Sequence, residues 1–129
     1  MSGTILLIED NEQNRYLVTF LLEKNGYTVV SAADGLRGLE LAREIRPQLV
    51  LLDIQLPSMD GYSVAGELRE MESLSEVPII AVTSHAMVGD REKAIAAGCD
   101  GYIEKPIDPL TFVTEIESFV ATRSTGGSE

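Results

Sequence analysis

One cysteine, one histidine, and ten basic residues against twenty-one acidic ones set the first limits on this 129-residue chain. Cys99 has no second cysteine to pair with, so no internal disulfide forms, as in chains kept in a reducing compartment. In "AAGCDGY" it reads as a small buried filler rather than a reactive thiol. His85 reads as a solvent-facing loop residue, not as a phosphohistidine or a metal ligand. The four methionines form no stripe. A formal net charge of −11 with no Lys/Arg cluster repels phosphate backbones, which excludes nucleic acid as a partner and favours cations. No apolar run approaches the roughly 20 residues of a membrane span. No basic segment precedes an apolar one as in an export signal. A cytoplasmic protein with no membrane partner is therefore expected.

What is present is ordinary for a globular chain, with 44% hydrophobic and 24% charged residues. The length suits one domain, expected over residues 1–121, and "TRSTGGSE" (122–129) reads as a disordered polar tail. Five apolar runs alternate with five helical patterns. The expected strands are 4–8, 28–32, 49–52, 79–82 and 101–103. The expected helices are 12–25, 35–46, 62–72, 86–97 and a last one opened by Asp108 as N-cap and Pro109 as first helical residue. Leu17, Phe20 and Leu21 share one face of the first helix; Val64, Leu68 and Met71 share one of the third. Phe112, Val113, Ile116, Phe119 and Val120 form the face of the last.

Strict β-α alternation with short loops predicts an α/β fold, a doubly wound five-stranded parallel sheet with helices on both sides. The first, third and fourth runs are continuously apolar and suit the interior. The second carries Thr28 and Ser31 and the fifth is short, so both suit edges. The flavodoxin-like order 2-1-3-4-5 satisfies these demands.

"LVLLDIQLP" (49–57) then raises a chemical question, because a buried strand ends on Asp53 before Pro57 stops it. The first strand ends in "IED", the fourth in "VTS" and the fifth in "IEKP". In open parallel sheets the carboxyl ends of the strands line one crevice at the point where the winding reverses, here between the first and third strands. Neighbouring strands lie about 4.8 Å apart, so Asp10 and Asp53 come within reach of one shared ion, with Glu9 beside them. Three such carboxylates repel unless something positive joins them, and a hard, oxygen-seeking cation, Mg²⁺ foremost, answers that need. Lys105 is a second positive partner, and Thr83 adds a hydroxyl able to donate to an oxyanion. Together they make a phosphoryl-accepting site in which Asp53 attacks to form an acyl phosphate.

"IEDN" (8–11), "DIQLPSMDG" (53–61), "VTS" (82–84) and "YIEKP" (102–106), in this order and spacing, closely resemble the receiver domains of two-component response regulators. The resemblance covers Thr4 to Val120. Its nearest relatives are stand-alone receivers of the chemotaxis and cell-cycle kind. It implies that Asp53 is the phospho-acceptor and that Glu9, Asp10, Asp53 and the backbone carbonyl of Gln55 hold Mg²⁺. It also implies that Thr83 and Lys105 meet the phosphoryl group, that Tyr102 is a switch aromatic, and that Lys105–Pro106 is a cis peptide. Glu9-Asp10 departs from a frequent Asp-Asp pair, and Leu56 replaces a common methionine.

A carboxylate-nucleophile phosphatase would want a second acid two residues after Asp53, where Gln55 stands. A flavodoxin-type cofactor binder would want a Ser/Thr/Gly-rich loop after the first strand, where "EDNEQN" stands. A pseudo-receiver that binds partners without phosphorylation is the alternative reading; the intact Glu9, Asp10, Asp53, Thr83 and Lys105 set argues against it. The expected partners are a histidine kinase or histidine phosphotransferase and a downstream protein bound through the 86–121 face. The exposed surface there should include some of Met87, Val88, Tyr102, Ile107 and Leu110, an apolar set rimmed by Asp90, Arg91 and Glu92. Beyond its own phosphorylation and dephosphorylation, the chain is not expected to be an enzyme.

Overall fold

The computed structural model describes residues 3–56, 59–84 and 88–119. Readings that rest on Pro57, His85, Met87, Val120 or the 122–129 tail lie outside the described residues. In chain order the elements are β1 (Thr4–Ile8), α1 (Glu12–Lys24), β2 (Thr28–Ala32), α2 (Gly35–Ile45), β3 (Leu49–Asp53) and α3 (Gly61–Glu70). A 3₁₀ turn at Glu72–Leu74 precedes β4 (Ile79–Thr83), α4 (Asp90–Ala97) and β5 (Gly101–Glu104). Residues 112–119 form α5. All four strand pairings are parallel, in the order β2-β1-β3-β4-β5. The β2 and β5 edges carry the more polar and the shorter strand, as expected.

Strand alternation divides the core in two. Leu6, Ile8, Val50, Leu52, Ile79 and Ala81 face one side, where they meet Leu39 and Ala42 of α2, Val64 and Leu68 of α3, and Ala94 of α4. Ile5, Leu7, Leu49, Leu51, Ile80 and Val82 face the other, against Val18, Leu21 and Leu22 of α1 and Phe112 and Ile116 of α5. A central strand covered on both faces must be apolar at every position, which is why these runs show no polar alternation. Three helices are capped by side chains: Asn11 accepts from Asn14 N–H, Asp34 from Arg37 N–H and Asp60 from Tyr62 N–H. At Gly38 a Cβ would stand 2.4 Å from Ile8 Cδ1, so only glycine lets α2 lie this close to β1.

Three expectations need correction. Phe20 is 52% exposed, whereas Val18, Leu21 and Leu22 carry the buried stripe of α1 with Leu17 at its margin. At about 100° per residue, Phe20 lies roughly 200° round the helix from Val18, and the Lys24 ammonium sits 5.9 Å from its ring centroid. The fourth helix begins at Asp90, not 86, because Gly89 at φ 91° is left-handed and cannot continue a right-handed turn. Asp108 accepts from Leu110 N–H at 3.0 Å, but it closes a turn and is not the N-cap of the last helix. Residues 109–111 form a turn, and the regular helix starts at 112.

One structural hub had no sequence signal. Arg69 of α3 donates to the carbonyls of Gly98, Leu74, Ser75 and Val77 and pairs with Asp100 at 2.7 Å. Asp100 in turn accepts from Ile79 N–H at 2.9 Å, so one guanidinium ties α3 to the C-terminal end of α4 and to the segment that leads into β4.

Candidate functional site

The strands deliver their polar ends to one rim. Beyond β1, Glu9 N–H still bonds Ala32 O at 3.0 Å, which holds Glu9 in the line of the sheet. Ile54 N–H does the same to Val82 O at 3.0 Å beyond β3, and Lys105 N–H to Thr83 O at 2.7 Å beyond β5. Arg15, one turn into α1, donates to the carbonyls of Glu9 and Asp10 at 2.9 and 3.1 Å and pins the loop between them.

On that rim Glu9, Asp10 and Asp53 present carboxylate oxygens within 4.8 Å of one another. Glu9 and Asp53 are each 3% exposed, while Asp10 faces solvent. Lys105 Nζ lies 2.8 Å from Glu9 Oε1 and 3.4 Å from Asp53 Oδ2. The other Asp53 oxygen accepts from Gln55 N–H at 2.9 Å, and Glu9 Oε2 accepts from Asn11 N–H at 3.1 Å. One partly buried lysine thus serves two buried carboxylates, with a third at the mouth, so the cluster carries excess negative charge.

The proton affinities follow. Burial pushes the Glu9 carboxyl above its ordinary value; the Lys105 bond opposes this, and the neighbouring Asp53 adds to it. Burial alone would lower Lys105, but its bond to Glu9 and the charge of Asp53 outweigh that and raise it. Lys105 therefore stays cationic, and Glu9 is the group whose charge is strained.

The donor set fits a hard divalent cation. Ligands of an octahedral Mg²⁺ stand about 2.9 to 4.2 Å apart, and the three carboxylate oxygens, all anionic, lie within 4.8 Å of one another. A cleft of about 300 Å³ opens above them, lined in addition by Asn11, Asn14, Gln55, Ser84 and Lys105.

The rim brings together five of the residues singled out from sequence: Glu9, Asp10, Asp53, Gln55 and Lys105. Thr83, 3% exposed, and Tyr102 do not line the cleft. Tyr102 is paired with Ala81 in the sheet, so it stands on the next strand from Thr83 with its side chain in the α2–α4 layer. Its hydroxyl is buried without a hydrogen-bond partner among the described residues, and the Arg91 guanidinium covers its ring at 5.5 Å. Burial raises its proton affinity, with Asp90 and Glu104 adding to the effect and Arg91 opposing it. Lys105–Pro106 is cis. Asn14, Arg15 and Ser84 belong to the site's surroundings without having been assigned a part. Ser84 lies within the quoted "VTS", whereas Asn14 and Arg15 reach the cleft only through the pitch of α1.

The family model for the response regulator receiver domain matches residues 5–117. Among curated proteins, the chain is 42% identical over 120 residues to the polar-differentiation response regulator DivK of Brucella anthropi, covering 93% of this chain and 98% of that one. Among solved structures, it superposes with a TM-score of 0.85 on the receiver domain of the sensor histidine kinase PA1611 of Pseudomonas aeruginosa. That structure has a magnesium ion coordinated in its active-site cleft; identity is 36%, covering 94% of this chain and 99% of that one. The chemotaxis protein CheY4 of Vibrio cholerae gives a TM-score of 0.88 at 25% identity, covering 92% and 99%.

Proposed function

The chain belongs to the response regulator receiver family, and from that premise we propose that Asp53 is the residue that takes the phosphoryl group. A phospho-accepting receiver of two-component signalling works with a histidine kinase or phosphotransferase upstream and a target downstream. The observation that carries the assignment is the convergence of Glu9, Asp10, Asp53 and Lys105 on one rim. An Asp53 oxygen attacks the phosphorus of a phosphohistidine. The P–O bond forms as the P–N bond breaks, and the electron pair leaves on the imidazole nitrogen, which takes a proton from solvent. Lys105, already within reach of Asp53, offsets charge on the transferred group, and Gln55 N–H keeps the acceptor carboxylate oriented. Glu9, Asp10, Asp53 and the Gln55 carbonyl are the residues that would hold Mg²⁺, which supplies charge neutralisation when bound.

Thr83 and Tyr102 stand on the neighbouring strands β4 and β5. Their movement toward the phosphoryl group would carry the signal to a protein partner. Support comes from the exposed apolar side chains Val88, Ile95 and Leu110. Ile107 is not part of that surface: it is 8% exposed and packs beside Phe112 and Ile116. Among the described residues no helix is long and apolar enough to cross a membrane. We place the chain in the cytoplasm, with no enzymatic turnover of other substrates. With Mg²⁺ and acetyl phosphate the chain should gain one base-labile phosphoryl group. Asp53→Asn should abolish it, and labelling that survives this change at full extent would refute the assignment.

A further inference from the structure

Gln55 and Ser84 are 29 residues apart in sequence and join the two loops that flank the cleft. Gln55 Oε1 accepts from both Ser84 N–H at 3.1 Å and Ser84 Oγ at 2.8 Å. The same residue's N–H donates to Asp53 Oδ1 at 2.9 Å, and both residues line the cleft above Asp53. A carbonyl oxygen of this kind has two lone pairs, and here Ser84 takes both. We propose that Gln55 is a positioning residue that masks the Ser84 amide in the resting chain and yields it to the phosphoryl group on Asp53.

The exchange follows from relative strengths. A backbone N–H on the wall of the cleft is a donor suited to an oxyanion, but its present acceptor is a neutral amide. A bond from the same N–H to an anionic phosphoryl oxygen is roughly twice as strong. Phosphorylation therefore displaces Gln55, and in doing so it uncouples Gln55 beyond β3 from Ser84 beyond β4. Until then the pair acts as a latch: it ties Ser84, just beyond β4, to Gln55, just beyond β3, and makes each phosphoryl group break two bonds to reach its donor. The inference rests on Asp53 being the acceptor.

Fluoroberyllate, a non-covalent phosphoryl mimic, separates the two ideas. The full chain is titrated at saturating Mg²⁺ and binding is followed by amide NMR shifts, with Asp53→Asn as control. Gln55→Met, which keeps the bulk and removes the acceptor, should bind about three- to tenfold more tightly than wild type. Ser84→Ala keeps the amide and loses one of the two bonds, so it should give a smaller gain. The double variant should bind no more tightly than Gln55→Met alone, since the two changes remove one interaction. Without fluoroberyllate the Ser84 amide should exchange faster in Gln55→Met than in wild type, and with it equally fast. Equal affinities, additive gains or an unchanged Ser84 exchange rate would overturn the latch while leaving Asp53 as acceptor. If wild type bound no better than Asp53→Asn, the acceptor assignment itself would fall, and the latch with it.

Discussion

Asp53→Asn should make the metal-free chain more stable, although it removes a charge that is paired. Glu9 and Asp53 are both 3% exposed, with oxygens no more than 4.8 Å apart. At an effective dielectric constant of about 20, two like charges at that distance repel by at least ~3.5 kcal/mol. Asp10 adds a smaller, solvent-screened share. Against this, the 3.4 Å contact with Lys105 is worth ~5 kcal/mol on the same scale. Taking the Asp53 charge out of water, however, costs several kcal/mol more. Lys105 keeps its closer partner, Glu9 at 2.8 Å, and an asparagine oxygen can still accept from Gln55 N–H. The balance favours the variant by about 1–3 kcal/mol in EDTA, read as the midpoint of urea unfolding by circular dichroism. Added Mg²⁺ should stabilise wild type more than the variant. The pH dependence has a definite sign. A carboxyl raised above its ordinary value, as Glu9 is, contributes stability that is full below that value and is lost as pH rises through the raised one. Because Asp53 is one cause of the rise, this loss should be smaller in Asp53→Asn. A variant less stable than wild type in EDTA would show that the lysine already balances the cluster, and the electrostatic case for a cation would fail.

Arg69→Met should cost about 2–4 kcal/mol in urea unfolding, because it strands several carbonyls and leaves the partly buried Asp100 without its cation; a change within 0.5 kcal/mol of wild type, the usual range for surface substitutions, would show the hub to be incidental. Thr83→Ala should leave Asp53 able to take a phosphoryl group while weakening the gain in partner binding that phosphorylation brings. Binding by the phosphorylated variant as tight as by wild type, measured against the cognate partner by calorimetry, would refute the proposed coupling through β4.

The sequence by itself settled the order of the sheet and which charged residues meet on its rim. Runs such as Leu49–Leu52 can only be buried on both faces, the polar β2 and the short β5 can only be edges, and parallel strands all point their carboxyl ends the same way. Glu9, Asp10, Asp53 and Lys105, each next to the end of such a run, therefore had to converge. Contacts set by rotation and reach were decided only by the tertiary structure. Helical spacing placed Phe20 on the face of Leu17 and Leu21, yet the stripe of α1 that packing buries is centred on Val18, Leu21 and Leu22, which leaves Phe20 outward. Ile107 is apolar in a polar neighbourhood of sequence, and only the position of α5 shows that it is covered. Nothing near Arg69 announces carbonyl partners up to 29 residues away, or near Gln55 a serine on another loop. Backbone periodicity is a local property that a chain carries with it, whereas the partner of a long polar side chain depends on which distant segments packing brings within 3 Å.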